Sequence, residues 1–313
     1  MSPGLVDTGP VPRRVRLALG IGYNGQAYQG WQSQASRQTV QDKVESALSR
    51  LACEKISTLC AGRTDAGVHA LMQVVHFDTS AERLTVSWVR GTNAYLPKDI
   101  GVEWAADVPA QFHCRASAVS RRYAYVILES AVRPSVDSGR VGWVMRRLAL
   151  APMQQACIGL LGEHDFTSFR AAACQAVSPV KTMLRIDISR RGAYWRFEFE
   201  ANAFLHHMVR NIMGCLLAIG QGKQQPQWMQ EVLAAYPSAQ RGLFKRYHIG
   251  GCGSCGYEPT DTLGKVAQKH KIDDIDEVVL YIQEAAALDR KMQVQPVEVA
   301  AALKDGAALW LVD

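Results

Sequence analysis

Residues 194–220, YWRFEFEANAFLHHMVRNIMGCLLAIG, change their apolar period part-way along. Over Tyr194–Ala201, aromatic residues alternate with charged ones, which predicts a strand with one buried face. From about Ala203 to Ile219 the apolar residues recur at helical spacing, and Gly220 is a typical residue to end a helix. The stretch therefore predicts a strand that leads into a long helix.

Neighbouring segments extend this pattern in both directions. In the second half, we predict a helix over Met153–Leu161, a loop over Gly162–Arg170, a strand over Met183–Arg190 that turns at Arg191-Gly192, and a short helix over Gln227–Ala235. In the first half, we predict strands over Arg14–Tyr23 and Gln73–Asp78, a helix from Val40 capped by Thr39, loops over Ala94–Ile100 and Phe112–Ala118, and a strand over Arg121–Leu128. Because strand-helix-strand-strand order occurs twice, the sequence predicts an α+β fold of two similar halves, each an antiparallel sheet with helices on one face.

Charge is unevenly distributed along the 313 residues. Residues 242–313 hold 8 Lys/Arg and 11 Asp/Glu, so the totals of 35 and 29 leave 27 and 18, a balance of +9, in residues 1–241. A basic body favours a polyanionic partner such as a nucleic acid. No apolar run approaches the ~18 residues of a membrane span, and we predict no secretory leader. Scattered cysteines then favour a reducing cytoplasm.

The sequence suggests four regions. We predict a disordered lead-in over residues 1–13, two halves of one domain over 14–120 and 121–241, and a mainly helical appendage over 242–313. The appendage opens with a glycine-rich Cys-x-x-Cys motif, in which Cys252 and Cys255 are a redox pair, half of a metal or cluster site, or spectator thiols in a turn. No Walker or dinucleotide glycine motif is present, so ATP and NAD have no visible site.

The run Gly62–Ala70, GRTDAGVHA, is the strongest candidate for chemistry. If the backbone is extended, Arg63 and Asp65 point to the same face, where the guanidinium favours the ionised carboxylate. An ionised aspartate held in a site acts as a nucleophile or a general base. The alternative is a surface turn with a solvated ion pair.

Three further groups of residues are candidates for a functional role. Tyr123 beside Arg121 and Arg122 is either a core aromatic residue or a platform for an unstacked base, with the arginines on phosphates. Arg210 falls among apolar helix positions and needs an anionic partner, for which Asp65 is the candidate. His206 and His207 would diverge on a helix, so we predict no metal there.

Three motifs, Gly62–His69, Arg121–Tyr123 and Met208–Asn211, closely resemble the tRNA pseudouridine synthase A family of bacteria. The resemblance runs from about Arg14 to Ala235. It implies an isomerase that acts on uridines 38, 39 and 40 in the anticodon stem-loop, by base flipping and without a cofactor. It also implies two ferredoxin-like halves that form one mixed, mainly antiparallel sheet, and a homodimer.

By resemblance, Asp65 is the catalytic aspartate, Arg210 its ion-pair partner and Tyr123 the residue that stacks on the target uracil. Arg63 helps to extrude the base and fills its place. The residues expected to bind the substrate are Tyr123, Arg63, His69, Arg121 and Arg122.

The C-terminal part departs from this family. Members usually close with a Gly-Leu-x-Leu strand in the catalytic sheet, and here only Gly242-Leu243-Phe244 offers a shortened remnant. The tail instead weakly resembles the start of a rhodanese-type sulfur-transfer protein. Two alternatives to the enzyme therefore remain: a tRNA-binding protein with impaired catalysis, and a redox or sulfur-transfer fusion acting through Cys252 and Cys255.

Overall fold

The computed structural model describes residues 14–171, 174, 176–234 and 309–311. These residues divide into two compact units: 14–125, 137–141 and 309–311 form the first, and the others form the second. The lead-in predicted for residues 1–13 lies outside the described residues. So does the appendage predicted for 242–313, including Cys252 and Cys255, apart from Leu309–Leu311.

The first unit combines a mixed sheet with two α-helices among its described residues. Its elements are β1 (Val15–Tyr23), α1 (Val40–Ala52), β2 (Leu59–Cys60), β3 (His69–Thr79), α2 (Thr85–Tyr95), β4 (Ile100–Val108), the first part of β5 (Arg121–Glu129) and β10 (Leu309–Leu311). The strand order is β4-β1-β3-β10-β5, and β2 pairs with β3. Strand β10 runs parallel to β3 and antiparallel to β5, and the other pairs are antiparallel.

Alternating apolar residues build the core of this unit. Leu17 and Leu19 of β1 lie opposite Phe77 and Val75 of β3, and all four side chains are buried. Helix α1 begins where predicted, because the Thr39 hydroxyl accepts the Asp42 N–H at 3.3 Å. Side chains that share one face therefore fix both strand register and helix orientation.

The second unit is also α+β. Its elements are the end of β5, β6 (Gly142–Val144), α3 (Leu150–Ile158), β7 (Gly162–Asp165), β8 (Val180–Arg191), β9 (Tyr194–Ala201), α4 (Met208–Gly220) and α5 (Trp228–Ala234). The strand order is β5-β9-β8-β7, with β6 parallel to β5. Phe197 and Phe199 of β9 are fully buried and lie opposite Ile188 and Ile186 of β8. The predicted α+β class is confirmed.

Three local predictions are wrong. Helix α4 begins at Met208 rather than near Ala203, because His207 has a left-handed backbone with φ 60° and stands at the helix N-cap. As a result His206 and His207 precede the helix and do not diverge: their ring centroids lie 4.0 Å apart. Residues 162–165, predicted as loop, form β7 by pairing with β8.

Candidate active site

The loop between β2 and β3, residues 61–68, contains the GRTDAG motif and is anchored at its start by Gln73. The side-chain amide of Gln73 accepts the Gly62 N–H at 3.3 Å and donates to the Gly62 carbonyl at 2.5 Å. Gln73 is fully buried, so water does not compete for these bonds. A buried polar group with its partners in place fixes one local conformation. The loop therefore leaves the sheet in one direction.

Thr64 ties the middle of the loop to the core. Its carbonyl accepts the Trp31 N–H at 3.0 Å, and its hydroxyl lies 2.7 Å from that of Tyr23. Because Thr64 is buried, its neighbours point the other way: Arg63 is exposed and Asp65 is half-buried. Both side chains predicted to act on the substrate thus lie on the outer side of the loop.

Asp65 opens a tight turn. Its carbonyl accepts the Val68 N–H at 3.1 Å, and Gly67, the third residue of the turn, has φ +78°. A type II turn needs a positive φ at that position, which glycine adopts without a steric penalty. The turn holds the carboxylate at its first residue, half in the protein and half in solvent. Such a carboxylate is accessible to a bound substrate.

Gly30 lies directly beneath Asp65. Its φ is +86°, and a Cβ built there would lie 2.7 Å from the Thr64 carbonyl oxygen and 3.1 Å from the Asp65 carbonyl carbon. Only a residue without a side chain permits this approach of two backbones. The backbone of Asp65 therefore rests on the backbone of Gly30.

Tyr123 lies on β5 with its side chain almost fully buried. A Cβ built on Gly62 would lie 3.6 Å from the Tyr123 hydroxyl, so the phenol faces the start of the loop. Burial, and then the negative charge of Asp65, raises the pKa of Tyr123 above its usual value. The phenol is therefore a neutral hydrogen-bonding group beside a carboxylate.

The arginines next to Tyr123 have different surroundings. Arg121 shares the strand face of Tyr123, and its guanidinium donates to the carbonyls of Ala61 at 3.2 Å and Arg115 at 2.8 Å. Arg121 thereby connects the loop that contains Arg115 to the start of the Asp65 loop at Ala61. Arg122 is half-buried. Because it is the next residue along the strand after Arg121, its side chain projects from the opposite face of the sheet.

Arg210 lies in the second unit, on the first turn of α4. The neighbouring Asn211 donates to the Phe169 carbonyl at 2.9 Å, which fixes this end of the helix. The Nε of Arg210 is buried and has no hydrogen-bond partner among the described residues. A buried guanidinium nitrogen without an acceptor is costly, so this side chain is suited to bind an anion.

Comparisons with known proteins decide the family. A family model described as tRNA pseudouridine synthase matches residues 21–115 and 156–243. A tRNA pseudouridine synthase A from Albidiferax ferrireducens is 71% identical over 221 residues, which cover 71% of this chain and 85% of that protein. The chain belongs to the tRNA pseudouridine synthase family. A synthase of the same name from Polaromonas naphthalenivorans is 69% identical over 225 residues, with coverages of 71% and 85%.

This synthase is therefore an isomerase with a tRNA substrate. One solved structure, an archaeal box H/ACA sRNP Nop10-Cbf5 complex, aligns with a TM-score of 0.31 at 11% identity, covering 74% of this chain and 56% of that one. That structural similarity is too low to support a statement about the fold of this chain. Among the helices of the described residues, none combines the length and apolar character that a membrane crossing needs.

The structure places six of the seven predicted site residues in the first unit: Arg63, Asp65, His69, Arg121, Arg122 and Tyr123. The predicted ion pair of Asp65 with Arg210 stays a prediction. Sequence reasoning missed Gly30 and Gln73, which hold the loop. One feature could have indicated the role of Gln73: it is a polar residue on the buried face of β3, where it pairs with Ile21 of β1.

Proposed function

We propose that this synthase converts uridine to pseudouridine in the anticodon stem-loop of tRNA, with Asp65 as the nucleophile. The observation that carries the proposal is the half-buried Asp65 carboxylate on a turn whose backbone is fixed by Gln73, Thr64 and Gly30. A reacting group must be held close to its productive position, because a misplacement of about 1 Å costs roughly 100-fold in rate.

The reaction conserves all atoms of the uridine. The N1–C1′ bond breaks, the uracil turns, and a C5–C1′ bond forms, while the proton on C5 is lost and N1 gains one. No electrons are gained or lost, so the step requires no redox partner. An ionised Asp65 attacks either C1′ of the ribose or C6 of the ring, and in both routes the bond to the aspartate breaks before product leaves.

Neighbouring residues have separate roles in this proposal. The target base leaves its stack, which costs a few kcal/mol, and Arg63 occupies the vacated space. Tyr123 supports the uracil face and takes part in removal of the C5 proton. Arg121 and Arg122 contribute positive charge for the RNA backbone. Arg210 is the ion-pair partner that we assign to Asp65.

Strand β10 favours an active enzyme over a protein that only binds tRNA. Trp310 pairs with His69 and with Ala124, and Leu311 pairs with Ala70 and with Tyr123. The two strands that hold the Asp65 loop and Tyr123 are thus joined by a third, so the expectation that only Gly242-Leu243-Phe244 offers a closing strand is wrong. Gly242–Phe244 itself lies outside the described residues. We expect a homodimer, which light scattering on the purified chain would detect. We expect the enzyme to act in the cytoplasm.

The test is tritium release from tRNA labelled at uridine C5, combined with filter binding of the same tRNA. Asp65→Asn should abolish release and leave the tRNA dissociation constant within about threefold, since the change keeps size and removes charge. Asp187→Asn is the matched control, because Asp187 lies on β8 in an exposed ion pair with Arg185. It should behave as the wild type.

Tritium release by Asp65→Asn at the wild-type rate would contradict the nucleophile assignment. Tight tRNA binding by the wild-type chain without any release would support a binding protein. The sulfur-transfer alternative predicts a thiol-dependent activity of the purified chain. Cys252→Ser and Cys255→Ser would remove that activity, and Asp65→Asn would retain it.

A further inference from the structure

His69 is fully buried, four residues after Asp65, at the first position of β3. Its Nδ1 accepts the backbone N–H of Gly25 at 3.2 Å, and its Nε2 lies 2.9 Å from the carbonyl oxygen of Gly139. A backbone N–H only donates and a carbonyl only accepts, so Nδ1 is unprotonated and Nε2 carries the proton. These two bonds require a neutral imidazole in a single tautomer.

The two bonds join segments that are distant in sequence. Gly25 belongs to a short turn that contacts the Asp65 loop directly, since a Cβ on Gly25 would lie 1.9 Å from the Val68 carbonyl oxygen. Gly139 belongs to the segment Asp137–Val141, which folds with the first unit although the residues on either side of it belong to the second. This segment also rests on the Gly25 turn, because a Cβ on Gly139 would meet the Gln26 side-chain nitrogen at 2.3 Å.

We propose that neutral His69 is a positioning residue for Asp65, which holds the end of the Asp65 loop between the Gly25 turn and the segment Asp137–Val141. The proposal rests on the function proposed above and assigns a role to a residue outside the reacting groups. It replaces the sequence-based expectation that His69 binds the substrate. Both ring nitrogens face backbone groups inside the protein, so RNA reaches neither unless these bonds break.

Protonation of His69 would place an N–H on Nδ1 against the N–H of Gly25, and one bond would be lost. Burial lowers the pKa of His69, the Gly139 carbonyl opposes this effect, and the nearby charge of Arg140 adds to it. The charged groups on the three segments are Asp137 and Arg140 on one, Arg63 and Asp65 on the His69 loop, and none on residues 24–27. His69 therefore stays neutral at pH 7, and the loop loosens only in acid.

Three variants of the full chain test the proposal. His69→Ala removes both bonds and should lower kcat roughly 10- to 100-fold, with the tRNA dissociation constant unchanged within about threefold. His69→Asn retains an acceptor at the Nδ1 position, and His69→Gln retains a donor near the Nε2 position. Each should recover part of the lost kcat, and neither should show the acid loss of activity that the wild type shows as His69 protonates.

A second measurement separates positioning from loss of folding and from failure of the proposed function. Amide hydrogen exchange of His69→Ala should rise at residues 24–27, 62–70 and 137–141, with protection of β8 and β9 unchanged. If His69→Ala keeps wild-type kcat while Asp65→Asn is inactive, the positioning role is wrong and the proposed function stands. Two other results for His69→Ala would also overturn the positioning role. One is a raised tRNA dissociation constant at unchanged kcat, and the other is unchanged amide exchange at the three segments. If no chain releases tritium, the proposed function fails, and the exchange result alone decides whether His69 holds the loop.

Discussion

Replacing Gly30 by alanine tests whether the Asp65 loop depends on a backbone-to-backbone contact. Two costs are expected. An L-residue at a positive φ costs about 1–2 kcal/mol, and the Gly30 φ is +86°. The new Cβ would also lie 2.7 Å from the Thr64 carbonyl oxygen, which is closer than real Cβ atoms approach other heavy atoms. Because this neighbour is backbone, the loop itself has to move, and overpacking of this kind costs about 1–3 kcal/mol.

Gly192→Ala is the matched control. Gly192 turns the β8–β9 hairpin with φ +61°, and a Cβ there meets nothing within 4 Å. It should lose about 1–2 kcal/mol from strain alone and keep the wild-type kcat. Gly30→Ala should lose about 2–5 kcal/mol in total and, by displacing Asp65, roughly 10- to 100-fold in kcat. The free energy of unfolding comes from urea titration, and kcat from tritium release. Equal losses of stability in both variants, with kcat intact in Gly30→Ala, would refute the contact.

Three further outcomes are expected. Because the pKa of Tyr123 is raised above its usual 10.0, Tyr123→Phe should leave the shape of the pH–rate profile unchanged up to pH 10; a basic limb that disappears in this variant would contradict a neutral phenol. Hydrogen bonds from Thr79 and Ser80 lower the pKa of Glu54 to about 2, so charged Glu54 stabilises the fold above pH 4.5 and this is lost as pH falls toward 2. Glu54→Gln should therefore cost about 1 kcal/mol at pH 7 and much less near pH 2 in thermal unfolding. Deleting residues 309–313 should lower turnover at least about 100-fold, and a synthetic peptide of residues 307–313 should restore part of it; full activity of the shortened chain would show that β10 is dispensable.

Strands with strict alternation were predictable from sequence. The hairpin of β8 and β9 follows from aromatic residues at every second position, and Thr39 marks the start of α1 through its side-chain cap. Helix α2 was not predicted, because Thr85–Tyr95 is rich in β-branched and aromatic residues and contains Gly91. It forms through packing, with Trp88 fully buried against Phe77 at a centroid distance of 5.3 Å. Tertiary contacts of this kind leave no local pattern.

Motifs likewise revealed only part of the candidate site. Asp65, Arg63 and Tyr123 lie in short runs whose residue types suggest their chemistry. The contacts that position Asp65 come from Gly30, Gln73 and the segment Asp137–Val141, and each depends on the folded chain rather than on spacing. The positioning role proposed for His69 depends on its burial, which is likewise a property of the fold.

Strand β10 makes the order of synthesis matter to the unit that carries Asp65. In the sheet of that unit β10 lies between β3 and β5, where it pairs with His69 and Ala70 on one side and with Tyr123, Ala124 and Tyr125 on the other. The ribosome completes Tyr125 of β5 long before it reaches Leu309, a separation of 309 − 125 = 184 residues. At about 5–20 residues per second this takes roughly 10–40 s. Throughout that interval the residues of β3 and β5 that pair with β10 lack that strand, and unpaired strand edges add foreign strands readily. Chaperone occupancy of the nascent unit should therefore persist until Leu311 leaves the exit tunnel.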